Sequence, residues 1–238
     1  AEAIVAGIAA AAAFAQTGDL NRPAVFDMAA QIEGHPDNVA PAVFGGLTVS
    51  WHFETAEGVG SVAVPGGEPL HGGFHAVNYP VDPSITAAVF VPDYELSTEK
   101  ARQALPRELP YKDAVYNVSR VGLLPAAMNP VVLAQAAQQG KSGVAAAPAQ
   151  DADTCACSGG TRESAFADEL AAAQAQSNAL LFTATQDKLH QPYRGALMPP
   201  STELIALFRS KGYAAAVSGA GPCVLVLHYG CLLYTSDA

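Results

Sequence analysis

Apolar residues along this chain alternate between helical spacing and short β-branched runs, which predicts a mixed succession of helices and strands. Ala1 to Ala15 is apolar almost throughout and is predicted to be a buried helix. A helical pattern then runs from Pro23 to Glu33 between Asn21, a residue type that caps helix starts, and Gly34, a residue type that ends helices. Three more elements are predicted in this part: a short helix near Val39, a strand from Leu47 to Phe53, and strand fragments such as Ser61 to Val64.

The second part of the chain repeats the order of strand and then helix. Strands are predicted at Thr86 to Val91, Ala214 to Val217 and Val224 to Leu227, and helices after a Ser97 cap and at Asp113 to Met128, Ala165 to Thr183 and Ser201 to Lys211. Within the second of these helices, three valines and Leu124 share one face and leave Asn117 and Arg120 on a neighbouring face. That helix can therefore present an arginine inward.

These elements predict an α+β fold in two domains. A linker around Asn78 to Pro83 divides residues 1–82 from residues 83–230. A segment at about 130–165 has little periodicity in its centre and is predicted to be a flexible insertion without function. Residues 231–238 follow the last strand without a periodic pattern, and we expect them to be a non-native tail.

Composition narrows the class of protein. Half of the 238 residues are hydrophobic, which is enough for a sizeable core, and 12 basic against 22 acidic residues give a net charge of −10. Such a charge argues against a nucleic-acid partner or an anionic membrane surface. The first helix carries Glu2 and no basic residue, so it predicts neither a signal sequence nor a membrane span. The four cysteines, at positions 155, 157, 223 and 231, have no zinc or disulfide spacing, which favours a reduced, cytoplasmic setting.

The densest group of polar side chains is the segment Glu33-Gly34-His35-Pro36-Asp37-Asn38. Pro36 disfavours a helical conformation at His35, and Asp37 is placed to cap the short helix near Val39. Glu33 and His35 would then face one space across a chain reversal. The segment could equally consist of helix caps and a solvated helix end.

Two later segments carry candidate chemistry. Ser218-Gly219-Ala220-Gly221-Pro222 joins two predicted strands, and its glycines allow backbone N–H groups to point at a phosphate or a partner loop, or only a tight hairpin. Asp187 to Arg194 follows a helix and ends in an arginine whose planar fork suits a carboxylate or phosphate. By itself, it could also be a solvated helix end.

In this order, the segments resemble the small-molecule kinase family that comprises galactokinase, homoserine kinase, mevalonate kinase and phosphomevalonate kinase. The resemblance covers roughly residues 1–229 and is to the homoserine kinases of that family. It is carried by Glu33 to Gly46, Val91-Pro92-Asp93 with Ser97-Thr98, Asn117-Val118-Ser119-Arg120, Asp187 to Arg194 and Ser218 to Pro222. It implies the remainder of an N-terminal kinase domain with a ribosomal-protein-like two-layer fold, followed by a ferredoxin-like C-terminal domain.

The resemblance also implies an activity, the transfer of the γ-phosphoryl group of ATP to the side-chain hydroxyl of L-homoserine in threonine biosynthesis. Glu33 would bind Mg²⁺, His35 and Asn38 would hydrogen-bond homoserine, and Arg120 and Arg194 would grip its carboxylate. The glycine loop formed by Ser218, Gly219, Ala220 and Gly221 would support the phosphate loop. No residue is assigned as a catalytic base, Asp37 is interpreted as a cap, and a homodimer is left open.

The resemblance has one large departure. The family's phosphate loop should immediately precede Ala1, so we expect an N-terminally truncated chain that binds ATP poorly and has little kinase activity alone. The alternatives are another small-molecule kinase of the same family, or a non-catalytic amino-acid-binding module derived from such a kinase.

Overall fold

The computed structural model describes residues 1–15, 19–142 and 162–230. It divides into two compact units, Ala1–Val81 and the chain from Asp82 onward. The predicted tail at 231–238 lies outside the described residues. No helix in the described part of the chain is both long enough and apolar enough to cross a membrane.

The first unit packs three helices with short antiparallel strand pairs. Its elements are α1 (Glu2–Ala15), α2 (Arg22–Glu33), α3 (Val39–Phe44), β1 (Leu47–Phe53), β2 (Ser61–Val62), β3 (Leu70–His71) and β4 (Gly73–Tyr79). β1 pairs with β4 and β2 with β3. The core lies where Phe26, Ala29, Ala30 and Val39 meet, so it joins α2 to α3.

The ends of α2 follow the predicted local signals. The Asn21 side chain accepts a hydrogen bond from the Ala24 backbone N–H at 3.2 Å, and Gly34 adopts a left-handed conformation with φ of 83°. The prediction for α1 was less accurate, because none of its residues is fully buried. Only one face of α1, including Ile4, Val5 and Ile8, packs against the core.

Strand β4 was not predicted from the sequence. It lies inside the stretch from Gly58 to Pro83, where glycines and prolines obscure its short alternating pattern. The structure pairs it with β1 in a register that places Leu47 opposite Tyr79 and Phe53 opposite Gly73. The Asn78 side chain also donates a hydrogen bond to the Gly45 carbonyl, which ties β4 to the loop after α3.

The second unit combines a three-stranded antiparallel sheet with helices. Its elements are β5 (Ile85–Phe90), α4 (Thr98–Gln103), α5 (Tyr111–Val121), α6 (Leu124–Met128), α7 (Pro130–Ser142), α8 (Arg162–Ala184), α9 (Gln191–Arg194), a 3₁₀ turn (Gly195–Leu197), α10 (Pro199–Ser210), β6 (Ala214–Val217) and β7 (Val224–Tyr229). The strand order is β5-β7-β6. One face of the sheet packs with α8 and α6 around Leu181 and Leu227, while Val224 and Val226 contact residues of α10.

The segment predicted as one helix from Asp113 to Met128 is two helices, α5 and α6, separated at Gly122. The apolar side of α5 faces outward, since Val115, Val118 and Val121 are 50%, 73% and 55% exposed. Periodicity identified the residues that share a face, but it could not decide which face is covered. The polar side chains face inward because they find hydrogen-bonding partners after α8, as described below.

The predicted insertion at about 130–165 contains helical residues at both of its ends. Helix α7 occupies its first part, and α8 begins at Arg162. Both ends are helical because Ala-rich sequence favours a helix even where the apolar periodicity is weak. Residues 143–161 lie outside the described residues, so flexibility there stays a prediction.

Candidate functional site

The Glu33–Asn38 turn begins at the left-handed Gly34, whose N–H donates to the Ala30 carbonyl at 2.9 Å. This ends α2 and sends the chain back toward α3. Glu33 is directed toward the start of α1, where one of its carboxylate oxygens lies 3.1 Å from the Ala1 backbone nitrogen. Its other oxygen lies 4.0 Å from His35 Nε2. The carboxylate therefore faces both a helix N-terminus and an imidazole.

Asp37 does not cap α3 as predicted. Its carboxylate accepts from the Asn38 backbone N–H at 3.2 Å and approaches His35 Nδ1 to 2.5 Å. The second approach is close enough for an ion pair but is not aligned as a hydrogen bond, which leaves the buried His35 Nδ1 without one. Asn38 takes the capping position instead, and its exposed side chain makes no cap hydrogen bond. The competing contact with His35 explains why the capping prediction was wrong.

Arg120 projects from the inward face of α5 and is held by three groups. Its Nη1 donates to Ser119 Oγ at 2.8 Å, and its Nη2 lies 3.4 Å from Gln186 Oε1. Its Cζ sits 3.6 Å from the centre of the Tyr116 ring. All three partners are neutral, and the buried Nε makes no hydrogen bond. Arg120 therefore keeps a positive charge that these contacts do not neutralise.

Asp187 and Asn117 connect α5 to the segment after α8. Asn117 Nδ2 donates to Asp187 Oδ1 at 2.6 Å, and Asn117 Oδ1 accepts from the Lys188 N–H at 2.9 Å. Asp187 also accepts from the backbone N–H groups of the three residues at positions 189, 190 and 191. Its side chain is 12% exposed. One carboxylate thus organises the whole turn before α9.

This bonding governs the charge state of Asp187. Burial by itself raises the pKa of the carboxyl group, but the hydrogen bonds from the Gln191 N–H, the Asn117 side chain and the Leu189 and His190 N–H groups lower it. The net direction is downward from 3.8. Asp187 is therefore a structural anion whose charge is directed at the backbone.

Arg194 ends α9 and reaches two backbone carbonyls. Its Nε donates to the Ala101 carbonyl at 3.2 Å, and its Nη1 lies 3.5 Å from the Gly219 carbonyl. It therefore contacts the glycine turn, Ser218–Pro222, directly. Arg120 contacts Gln186, the first residue of the segment from Gln186 to Arg194, and Arg194 is its last residue. One short stretch of chain therefore links the two arginines.

The glycine turn uses part of its own backbone internally. The Ser218 N–H donates to the Cys223 carbonyl at 2.8 Å, and the Gly221 N–H donates to the Ser218 carbonyl at 3.1 Å. These two N–H groups are therefore engaged within the turn and do not point at a ligand. Gly219 and Gly221 have φ values of 61° and 93°, which fit the predicted need for positive φ.

Buried side chains fix the far end of the glycine turn. Ser201, which is 4% exposed, donates to the Pro222 carbonyl at 2.6 Å and lies 2.9 Å from the Tyr94 hydroxyl. A Cβ atom at Gly221 would lie 2.7 Å from Sδ of the buried Met198. The space around Gly221 thus admits only glycine without displacement, whereas a Cβ at Gly219 would meet open space.

A cavity of about 240 Å³ lies between α5, the turn after α8 and α10. Tyr116, Gln186, Asp187, Lys188 and Arg209 contribute to its wall. Burial lowers the pKa of the Arg209 guanidinium, which donates to the Phe182 carbonyl at 2.7 Å and the Ala215 carbonyl at 2.9 Å. Arg209 therefore supplies hydrogen-bond donors to one carbonyl near the end of α8 and one carbonyl of the edge strand β6, which is a structural role.

A larger groove of about 470 Å³ runs beside Pro222 along residues 91–96. It carries Asp93 and Glu95 and none of the predicted site residues. Its acidic lining does not suit a phosphate or a carboxylate. Among the described residues no group of three or more His, Cys, Asp or Glu side chains could hold a metal ion.

The structure distributes the predicted residues over both units. Glu33, His35 and Asn38 lie in the first unit, and Arg120, Arg194 and the glycine turn lie in the second. Sequence reasoning gave no role to Tyr116 or Gln186, and it did not identify Asp187 as the anchor of its turn. The spacing of Tyr116 and Arg120, four residues apart on one helix, was the available signal.

Comparison with known proteins finds similarity to kinases. The family described as GHMP kinases C terminal matches residues 164–229. The chain is 38% identical over 226 residues to the homoserine kinase of Clavibacter michiganensis subsp. michiganensis, covering 94% of this chain and 52% of that protein. It is 35% identical over 231 residues to the homoserine kinase of Cutibacterium acnes, covering 95% of this chain and 56% of the relative. The chain spans about half the length of the curated relatives it matches.

A solved structure shares the fold. The crystal structure of homoserine kinase from Cytophaga hutchinsonii matches with a TM-score of 0.60 at 19% sequence identity, and the match covers 95% of this chain and 54% of the other. At this identity the likeness establishes the fold alone, which is mixed α+β. The matched family segment runs from α8 to β7 and so contains Asp187, Arg194 and the glycine turn.

Proposed function

We propose that this chain, which belongs to the GHMP kinase family, serves the ATP-dependent phosphorylation of the side-chain hydroxyl of L-homoserine to O-phospho-L-homoserine, in threonine biosynthesis. The observation that carries the proposal is the state of Arg120. Its guanidinium is held by a serine, a glutamine and a tyrosine ring, all of them neutral. An arginine with this environment retains its charge for an anionic ligand such as an α-carboxylate.

Arg194 is proposed as the second carboxylate contact. Its guanidinium donates to the carbonyls of Ala101 and Gly219, and neither of these neutral groups neutralises its charge. Two arginines on one carboxylate would fix the orientation of the amino acid as well as its affinity. Because Arg194 contacts Gly219, this arrangement would also bring the acceptor close to the glycine turn.

His35 and Asn38 are proposed to hydrogen-bond the amino and hydroxyl end of homoserine. Asn38 suits this role because its side chain is exposed and takes no part in capping α3. His35 offers an imidazole that lies between the carboxylates of Glu33 and Asp37. Together with Arg120 and Arg194, this turn would favour an amino-acid alcohol over a sugar or an isoprenoid.

Glu33 is proposed as a Mg²⁺ ligand. Its carboxylate faces the start of α1, where backbone N–H groups and the helix dipole favour phosphate. Mg²⁺ in such sites is commonly held by one or two carboxylates together with substrate phosphates and water, so a single acidic residue fits the ion. When bound with ATP, Mg²⁺ would neutralise charge on the transferred phosphoryl group.

The reaction needs little covalent help from the protein. The homoserine hydroxyl oxygen forms a bond to the γ-phosphorus while the bond from that phosphorus to the bridging oxygen breaks, and ADP leaves. The hydroxyl proton is released, and no side chain of this chain is assigned as its acceptor. The chain would contribute orientation of the acceptor, through Arg120 and Arg194, and support of the phosphate-binding backbone by the glycine turn.

We also propose that the first unit corresponds to the remainder of an N-terminal kinase domain and the second to a ferredoxin-like C-terminal domain. Three antiparallel strands with helices on the sheet support this for the second unit, although a ferredoxin-like sheet has four strands and the described part of this unit contains three.

The experiment is a hybrid enzyme in which this chain replaces the 226 aligned residues of the Clavibacter homoserine kinase. We expect it to phosphorylate L-homoserine in preference to mevalonate and galactose, with product identified by phosphorus NMR. Arg120→Met should lower kcat/KM for homoserine by about 10- to 100-fold, since a charge-assisted contact is lost. The control is Arg107→Met, which removes an exposed arginine. A hybrid that prefers another acceptor would redirect the proposal within the family.

A second measurement distinguishes a kinase from a binding module. Calorimetric titration of the 238-residue chain with L-homoserine reports binding without turnover. Binding by the chain together with an inactive hybrid would favour an amino-acid-binding module. Equal activity of Arg107→Met and Arg120→Met would contradict the proposed role of Arg120 as a contact of the homoserine carboxylate.

A further inference from the structure

Gln186 accepts two contacts from the same helix, α5. Its Oε1 accepts from the Tyr116 hydroxyl at 2.6 Å and lies 3.4 Å from Nη2 of Arg120. The Tyr116 ring in turn lies against the guanidinium, with 3.6 Å between its centre and Arg120 Cζ. These three side chains form a closed set in which each touches the other two.

The Tyr116 ring restrains Arg120 because it lies against the guanidinium group. A cation above an aromatic ring is attracted by the ring's electron density, and the contact also limits the rotamers that a long side chain can adopt. A side chain ordered before a ligand arrives loses less conformational entropy on binding. The tyrosine hydroxyl meanwhile fixes the orientation of the Gln186 carboxamide, so the oxygen and not the NH₂ group faces Arg120.

The backbone that carries Gln186 is itself anchored to α5. Asn117 bonds both to the Asp187 carboxylate and to the Lys188 N–H, and Lys188 Nζ lies 3.6 Å from Asp113 Oδ1. Three consecutive residues after α8 are thus attached to one face of α5. The Asp187 charge is directed at backbone N–H groups instead of Arg120, because its oxygens accept at positions 189 to 191.

The charge of the residue at position 186 should then decide whether Arg120 is available. A carboxylate in place of the carboxamide would pair with the guanidinium and compete with a substrate carboxylate. A neutral acceptor holds the guanidinium in place without neutralising it. The amide is therefore the side chain that both orients the arginine and preserves its charge.

We propose that Gln186 and Tyr116 are positioning residues that hold Arg120 ready for the carboxylate of an α-amino acid, and that the neutrality of Gln186 sets this specificity. The inference rests on the proposed function, since it takes Arg120 as the carboxylate contact. In this proposal neither Gln186 nor Tyr116 touches the substrate. Their effect is exerted through Arg120.

The decisive variant is Gln186→Glu in the hybrid kinase described above. We expect KM for homoserine to rise by about 10- to 100-fold with kcat and the KM for ATP little changed, because only the carboxylate contact is weakened. The matched control is Gln176→Glu, the same change at an exposed position of α8. It should leave all three parameters unchanged.

A substrate without the carboxylate separates positioning from a general structural effect. 3-Aminopropan-1-ol has the amino and hydroxyl groups of homoserine but no carboxylate, so its kcat/KM should be nearly the same in the parent hybrid and in Gln186→Glu. Equal losses for both substrates would overturn the inference, since they would show a disturbed site. Homoserine kinetics equal to those of Gln176→Glu would overturn it too.

Tyr116→Phe provides the second variant, which keeps the ring and removes the hydrogen bond to Gln186. We expect KM for homoserine to rise by about 3- to 10-fold, as for the loss of one neutral hydrogen bond. If Gln186→Glu fails to fold, a selective loss for homoserine in Tyr116→Phe supports the inference and unchanged kinetics overturn it. The proposed function fails separately, when the parent hybrid does not use homoserine or Arg120→Met has no effect.

Discussion

The Glu33–Asn38 turn and the Arg120 cluster, which comprises Tyr116, Asn117, Arg120, Gln186 and Asp187, hold their side chains by different means. In the turn, the His35 and Asn38 contacts go to residues one or two positions away. In the Arg120 cluster, the hydrogen bonds between α5 and the segment after α8 join residues 66 to 71 positions apart.

This difference has an energetic consequence. Contacts between sequence neighbours at a partly exposed turn are screened by water and contribute little to stability. Long-range hydrogen bonds to a largely buried carboxylate are coupled to the packing of two elements, so their loss should affect the unit as a whole. The turn is therefore free to vary its side-chain positions when a ligand binds, whereas the cluster is ordered before binding.

The largest effect is expected for Asp187→Ala. Removing a largely buried acceptor leaves three backbone N–H groups and the Asn117 amide without their partner, and we expect the second unit to lose about 3 kcal/mol of stability. Hydrogen exchange of the amides in α5 and α8 measures this loss. Asp37→Ala is the comparison in the turn and should change stability by less than about 0.5 kcal/mol. Similar losses in the two variants would mean that the two regions are not held differently.

Gly221→Ala should be the next largest change. The new Cβ would require a left-handed conformation and would lie 2.7 Å from Met198 Sδ, so we expect a loss of about 2 to 3 kcal/mol in the second unit. Gly219→Ala has the same conformational problem in open space and should cost about 1 kcal/mol. Urea denaturation followed by circular dichroism compares the two. Equal losses would show that Met198 moves aside.

The α2 caps and strand β1 could be predicted from the sequence because their signals are local. Asn21, Gly34 and the run from Leu47 to Phe53 each act on adjacent residues. The role of Gln186 had no such signal, since its partners belong to a helix about 70 residues earlier. Even the local prediction for Asp37 was wrong, because His35 competes for its carboxylate.

The orientation of α5 illustrates the same limit. Val115, Val118 and Val121 gave a clear apolar face, yet the face that packs is the one bearing Tyr116 and Asn117. Hydrophobic spacing is a property of one helix, whereas burial depends on what the rest of the chain offers to it. The inward face of α5 is bonded to residues 186–188, and these are tertiary contacts that periodicity does not report.

Acid should weaken the Arg120 cluster through Asp187. Its pKa is lowered in the folded chain, so the folded form binds fewer protons than the unfolded form near 3.8, and the carboxylate stabilises the second unit above that pH. This contribution is lost as pH falls through the lowered folded pKa. Stability measured between about pH 5 and pH 2 should fall less steeply in Asp187→Asn than in the parent chain. Parallel curves would show that Asp187 is not the titrating group.

The smallest effect is expected at the cap of α2, which leads into the Glu33–Asn38 turn. Asn21→Ala removes the acceptor of the Ala24 N–H and should cost the first unit about 1 kcal/mol. Asn38→Ala is the matched control, because Asn38 occupies the capping position of α3 without a cap hydrogen bond, and it should cost only a few tenths of a kcal/mol.

Trp51 is the only tryptophan and lies on β1, so its fluorescence during urea unfolding reports the first unit. A loss at Asn38 as large as the loss at Asn21 would show that the Asn38 side chain is committed to α3. An Asn38 that contributes nothing to α3 is a side chain that a substrate can engage without a cost in stability. The same pair of variants therefore tests whether Asn38 in the turn, unlike the side chains of the Arg120 cluster, makes no contribution to stability.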